Sequence, residues 1–343
     1  MRRIVVLGLL IVLSVGVFVS LYGDSLSQSL TGVNVETYSS GYPPNFIDHL
    51  PFIINVTGVY YIVKDLTVNG DGITIVADNT VLIGQGHTIT GNGIGNGVNV
   101  TASNSVVLGF DIRNFRYGIV VNGANRLTRW DTIANNKVHN NYIGVILWIG
   151  VDDIGHLVEN NIITNNNLGV FAGFCDGQYV YDNYFKNTIN GEQDTGYANE
   201  WNMTKKAEGS IISGSYSGGN YWHDYTGQDL NGDGLGDTNI PWTSNGYIEK
   251  GGDYLPLVDV NPPKYSNIRT FSTSLTSYTL NVTWKDNVHL DKAILELDGI
   301  NYTDIDKLHE TLDFNEYYQV EHSIIYSKSF SNLSLGTHYY RWY

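Results

Sequence analysis

A short strand opened by glycine recurs through the middle of this chain. It appears as Gly72-Ile73-Thr74-Ile75, Gly97-Val98-Asn99-Val100, Gly118-Ile119-Val120-Val121, Gly144-Val145-Ile146-Leu147 and Gly169-Val170-Phe171. The glycines stand 25, 21, 26 and 25 positions apart. A second element keeps step, one apolar side chain between two asparagines. Asn136 and Asn140 flank Val138, Asn161 and Asn165 flank Ile163, and Asn183 and Asn187 flank Phe185. Phe110 to Asn114 around Ile112 fits with its first asparagine replaced.

The period is too short for a βαβ unit, and each segment alternates as strands do. Gly and Asn between the segments tolerate left-handed backbone and make turns. One such coil cannot bury its apolar face alone; stacked coils close a continuous core. Asparagines in register then hydrogen-bond up the stack and satisfy turn amides. The expectation is an all-β fold, a right-handed single-stranded parallel β-helix, with the five glycines in one row. The rival, an antiparallel sandwich, requires no fixed period.

Composition narrows the function. The chain is 15% charged with 38 Gly, which suits short strands and tight turns. A net charge of −15 repels phosphate backbones and anionic lipid, so no nucleic-acid partner is expected. Cys175 is the single cysteine, so no internal disulfide or thiolate cluster forms, and it reads as a small buried hydrophobe. At 343 residues the chain exceeds one compact domain.

Arg2 and Arg3 precede an apolar run from Ile4 to Leu21, an export signal. The run's length lies between a signal core and a spanning helix. Residues 1–24 are therefore a signal peptide or an N-terminal membrane anchor, the chain's one route to a membrane. Residues 25–50 read as an N-terminal lead or cap. Asn55, Asn99, Asn202, Asn281, Asn301 and Asn332 are candidate glycosylation acceptors, compatible with an extracellular or cell-surface location.

The run from Ile73 to Gly91 resembles the opening coil of the NosD-like β-helix family. Gly218 to Asp237, containing Asn220-Tyr221-Trp222, resembles the segment that closes that family's helix, and Asp253-Tyr254-Leu255-Pro256-Leu257-Val258 resembles its usual ending. The likeness covers roughly residues 51–260. It implies a right-handed parallel β-helix on an exported, often archaeal protein, with kinship to carbohydrate-binding and sugar-hydrolase β-helices. The family is named for a periplasmic factor in copper-site assembly of nitrous oxide reductase. Copper(I) delivery favours clustered sulfur, and this chain has one Cys and two Met, one of them the initiator. The organisation expected is a β-helix over 51–215, a closing segment over 216–260 and a further domain over 262–343.

One metal site stands out. Asp229, Asn231, Asp233, Leu235 and Asp237 fall at positions 1, 3, 5, 7 and 9 of an EF-hand-type loop, Leu235 through its carbonyl, with Gly234 at position 6. Position 12 is Ile240 rather than Glu, so water, backbone, Asp224 or Asp253 must complete the shell. A structural Ca2+ there would order the helix end; a metal-free Asn/Asp/Gly turn is the other reading.

Catalysis is weighed on Asp152, Asp153, His156, Asp176, Asp182, Glu192 and Asp194, with Lys186 nearby. None repeats at coil spacing, and no residue is assigned a catalytic role. Trp130, Trp148, Tyr179, Tyr181, Trp201, Tyr221 and Trp222 offer flat faces for pyranose rings or pack structurally; for Tyr221 and Trp222 the structural role is expected.

Asn261-Pro262-Pro263 breaks the chain. Afterwards Tyr278 to Trp284, Ala293 to Leu297 and Tyr318 to Phe330 alternate with period two. This reads as an immunoglobulin- or fibronectin-like β-sandwich, incomplete because a closing strand is missing, with a tyrosine corner at Tyr339. The functional expectation is an exported β-helix that acts as a structural and binding module for polysaccharide or glycan. A polysaccharide lyase or glycoside hydrolase on the same scaffold, and a copper-assembly factor, stand as alternatives.

Overall fold

The structure is a computed structural model that describes residues 45–343, apart from 124–128, 149–154, 174–176, 195–197, 275, 289, 291, 316–318 and 335–336. The expected signal or anchor, Asp152, Asp153, Cys175 and Asp176 thus lie outside the described residues. The chain divides into two compact units between Val258 and Asp259.

The first unit is a parallel β-helix of three sheets. Face 1 has nine strands, from Asn45–Ile47 to Gly251–Gly252; face 2 has seven, from Leu66–Thr67 to Tyr221–Trp222; face 3 has seven, from Phe52–Ile54 to Ile189–Gln193. Each coil visits the three faces in turn, as Val81–Ile83, Thr88–Thr90 and Asn96–Val100 do before Val106–Leu108 returns to face 1. Among the described residues the stack includes Asn45, within the expected lead, and its last strands belong to the closing segment.

Inward rows fill the core. On face 2 the row Leu66, Ile89, Ile112, Val138, Ile163, Phe185 and Trp222 is in register and buried throughout. On face 3 the partners Ile73, Val98, Ile119, Val145 and Val170 place the five glycines before them in one row, as the period predicts. A Cβ on Gly72 would stand 2.3 Å from the carbonyl oxygen of Gly97, and one on Gly144 would stand 2.6 Å from that of Gly169. Coils approach too closely there for any side chain.

Three polar ladders run through the corners. Between faces 1 and 2, the backbone N–H of Asn136, Asn161 and Asn183 donates to the side-chain oxygen of the next asparagine at 2.9, 3.0 and 3.1 Å, ending on Asn220. Asn220 N–H donates to Asp253 Oδ2 at 2.7 Å. Between faces 2 and 3 the series Asn141, Asn166, Asn187, Asn190 ends with Asn190 donating to Asp224 at 2.8 Å. Between faces 3 and 1 it is Ser105, Asp131, His156, Gln178, Asn199. One alignment made on sequence is corrected here. Asn187 belongs with Asn141 and Asn166, not with Asn140 and Asn165, because its coil is one residue shorter at that corner.

Trp201 and Trp222 close the core at the C-terminal end, ring centroids 5.8 Å apart. Gly191 makes room: a Cβ there would meet the Trp201 ring at 2.8 Å. Trp222 Nε1 donates to Asp253 Oδ2 at 2.8 Å.

The second unit holds a four-stranded antiparallel sheet, Lys264–Ser274, Ser277–Asp286, Val320–Phe330 and Asp306–Phe314, and a three-stranded one, Ile300–Tyr302, Leu295–Leu297 and Tyr340–Trp342. Leu280, Val282, Ile324 and Tyr326 from the first pack in one core with Leu295 and Trp342 from the second. This is the expected sandwich architecture. Tyr339 forms no corner: it is 76% exposed, and Trp342 occupies the buried place.

Two outcomes follow. Gly144→Ala should destabilise the helix by about 2 kcal/mol, because backbone of the adjoining coil cannot retreat; a urea midpoint equal to that of the parent would refute the close approach. Burial pushes the Asp253 carboxyl up to about 6, from 3.8, against the N–H groups of Asn220, Trp222 and Leu255. The native state then binds more protons than the unfolded chain between these values, so stability falls as pH rises through that window and levels above it. Asp253→Asn should flatten this slope, by about 3 kcal/mol across the window; matching pH profiles for both proteins would exclude the effect.

Candidate functional site

Face 3 presents its outward residues at the C-terminal coils. The outward row reads Ile53, Thr74, Asn99, Val120, Ile146, Phe171, Glu192 in register. A second outward row at the strand ends is Asn122, Trp148, Gly173. Asp194 follows it, its N–H donating to Ala172 O at 3.2 Å.

Gly173 shapes this patch. A Cβ there would lie 2.5 Å from the Phe171 ring and 3.3 Å from Asp194 Oδ2, so the ring lies across the glycine. Trp148 leans on Phe171 with centroids 6.2 Å apart and planes at 52°. The Trp148 side chain stays 48% exposed. Beside the two rings stand two carboxylates. Burial, then the neighbouring Asp194, raises the Glu192 carboxyl above its usual range. Asp194 Oδ2 is shielded from solvent without a hydrogen-bond partner among the described residues.

The other sequence candidates are scattered. His156 is interior, its Nδ1 accepting the N–H of Asp131, so it is a ladder rung and not a free base. Burial raises the Asp131 carboxyl, opposed by His156 and by the N–H of Ser105. Asp182 sits in a left-handed turn and accepts the N–H of Ile211 at 3.0 Å. Tyr181 is buried, its hydroxyl donating to Glu159 at 2.5 Å, and Tyr221 stacks on Tyr184 at 4.7 Å. Trp201 and Trp222 are core, Tyr179 is half-buried on face 1, and Trp130 is partly exposed at a corner. Among the described candidates, Trp148, Glu192 and Asp194 come together on one outward surface. Phe171 and Gly173 were missed on sequence; the alternation after Gly169 carries the signal for Phe171.

The closing loop wraps around Asp229. Its Oδ1 accepts the N–H of Gly232 at 2.7 Å and its Oδ2 that of Gly234 at 2.8 Å. Burial works against ionisation, but these donors with those of Asn231 and Asp233 hold the carboxyl below its usual range. Asp237 Oδ2 accepts the N–H of Leu230 at 2.8 Å, and Asp233 is paired with Lys205. Leu235 is buried, bridged to Leu257. Asp253 and Asp224, named as completing donors, are committed elsewhere: both terminate ladders. Among the described residues no three of His, Cys, Asp and Glu come together in a metal-holding group.

The sulfur that copper(I) prefers is also not gathered. Met203 is the described methionine, half-buried, and no cluster of imidazole or thiolate surrounds it among the described residues. The described residues gather no copper(I) ligand set. Asn55, Asn301 and Asn332 are exposed, while Asn99, Asn202 and Asn281 are half-buried. No helix among the described residues is long and apolar enough to cross a membrane.

No curated protein matches this chain. The family model described as periplasmic copper-binding protein (NosD) matches residues 52–227, just over half of the chain and nearly the whole stack of coils built above. The chain belongs to the NosD family of β-helix proteins.

Proposed function

We propose that this chain is an exported β-helix scaffold that binds polysaccharide on the outer side of face 3. The observation that carries the reading is the half-exposed Trp148 ring braced by Phe171 beside Glu192 and Asp194. An indole face suits the C–H face of a pyranose, and adjacent carboxylates accept its hydroxyls. The family's periplasmic description supports export. Trp148→Ala should weaken binding to glycans selected on an array about tenfold, a loss of about 1.4 kcal/mol read by calorimetry. An array on which the protein captures no glycan would sink the reading.

Hydrolysis on the same patch is a second reading, favoured by the raised Glu192 carboxyl beside Asp194, the setting of a general acid. Product release lost in Glu192→Gln would select it; binding without turnover selects the scaffold.

Calcium belongs to the proposal as a structural ion of the closing loop. The wrapped oxygens of Asp229, Asn231, Asp233 and Asp237, with the Leu235 carbonyl, support it, and Ca2+ would displace Lys205 from Asp233. Millimolar Ca2+ should raise the thermal midpoint, Asp237→Asn should remove that gain, and Lys205→Ala should enlarge it. A midpoint indifferent to Ca2+ eliminates the ion.

A further inference from the structure

The corner between faces 2 and 3 contains a break in the repeat. Asn114, Asn140 and Asn165 each open this corner in the left-handed conformation, with φ of 60°, 56° and 55°. The next coil has no such residue. Thr164 and Lys186 are in register, as are Leu168 and Ile189, yet three residues separate Thr164 from Leu168 and two separate Lys186 from Ile189. The corner of that coil is drawn in, and a notch of about 400 Å3 opens beneath Asn165.

Hydrogen-bonding groups are also free at this corner. At other corners left-handed asparagines pair from coil to coil, Asn104 with Asn79 at 3.2 Å and Asn160 with Asn135. At this corner Asn140 turns instead to His139 Nδ1 at 2.9 Å, and Asn165 has no left-handed counterpart one coil on. Asn165, Asn167 and Thr188 are exposed, and their side chains make no hydrogen bond among the described residues. Asn166 and Asn187, which form the floor, are satisfied within the ladder.

Lys186 completes the lining. Lys205 and Lys206 pair with Asp233 and Glu208, but Lys186 has no carboxylate partner among the described residues. The adjoining acid, Asp224, is held by the amides of Asn190 and Asn245. His223 follows Lys186 on face 2; burial, abetted by the Lys186 charge, keeps its imidazole below the usual range despite Asp224. The notch therefore contains one cation, two uncommitted amides and one hydroxyl, with no carboxylate and no apolar side chain among its lining residues.

We propose that this notch is a subsite for one acidic sugar residue, its carboxylate on Lys186 and its hydroxyls on Asn165, Asn167 and Thr188. The assignment rests on the glycan reading for its ligand class and deepens it to an acidic polysaccharide. The chain's net charge of −15 opposes such a polymer at long range. At physiological ionic strength that opposition is screened beyond about 8 Å, so the local ammonium decides. Amides beside an ammonium also distinguish a sugar from a bare anion, which would use the charge alone.

The test measures binding of an oligogalacturonate and of its methyl ester to the full chain by calorimetry. The acid should bind at least tenfold more tightly than the ester. Lys186→Gln should bring the two to equal affinity, while Trp148→Ala, outside the notch, should leave their ratio unchanged. Inserting an asparagine between Lys186 and Asn187 should restore the missing left-handed residue, fill the notch and abolish the preference with the fold intact. Equal affinity for acid and ester in the parent protein, with array glycans still bound through Trp148, would overturn the notch alone. Capture of no glycan of any kind would overturn the scaffold reading with it. Inorganic sulfate competing as well as the oligosaccharide would overturn the sugar assignment.

Discussion

Everything in the helix depends on satisfying corner amides in a dry interior. A coil turns three times, and each turn brings backbone N–H groups inside, where an unmade hydrogen bond costs about 1–3 kcal/mol. The chain meets this with a side-chain acceptor supplied by the next coil, an oxygen or, at His156, a ring nitrogen, at 2.7–3.2 Å in all three corners. A coil is thus satisfied only when its successor is in register. Register in turn fixes which glycine lies beneath which carbonyl, and which apolar residues meet.

These ladders have a direction, and the direction dictates the end of the molecule. Each rung donates toward the C terminus, so the last rung must find an acceptor that needs no further acceptor of its own. A carboxylate meets that need, since ionised it only accepts. Asp253 terminates one ladder and Asp224 another. The closing segment therefore serves more than to shield apolar surface with Trp201 and Trp222. It delivers Asp253 beneath Asn220 while Trp222 supplies an indole donor to the same oxygen. Gly234 and Leu235 are stitched to Val258 and Leu257, which tethers the loop of Asp229 to the chain that carries Asp253.

The regular part of this architecture was legible because it obeys a period. Five glycines and the apolar residue between paired asparagines are enough to set coil length, strand position and the inward rows. The sandwich was legible from period-two alternation. What stayed hidden lies where the period fails or where partners come from distant chain. Asp253 could be matched to a family ending but not recognised as the end of a ladder, since its partner Asn220 is 33 residues away. It was offered instead as a calcium donor. His156 was read as a catalytic candidate because sequence does not show that its ring faces inward onto the N–H of Asp131. Asn187 was aligned by its motif with the exposed asparagines, whereas hydrogen bonding draws it into the buried series with Asn166.

That misalignment explains where surface chemistry arises on such a scaffold. A perfect repeat uses every corner group on its neighbour and leaves a surface of self-satisfied rungs. Uncommitted surface groups appear where the repeat departs from itself. Gly173 interrupts an outward row, so the Phe171 ring can lie across it and brace Trp148. Glu192 replaces the apolar residues that precede it in its row and inherits their shielded position, which raises its carboxyl. The lost corner residue before Asn187 leaves Asn165 without a counterpart in the next coil and opens the notch beside Lys186. All three departures fall in the last coils of the stack, where the ladders are about to end on carboxylates and each coil has fewer successors to satisfy. Toward that end the repeat can be broken with the least loss of stacking, and there side chains stand outside the ladders.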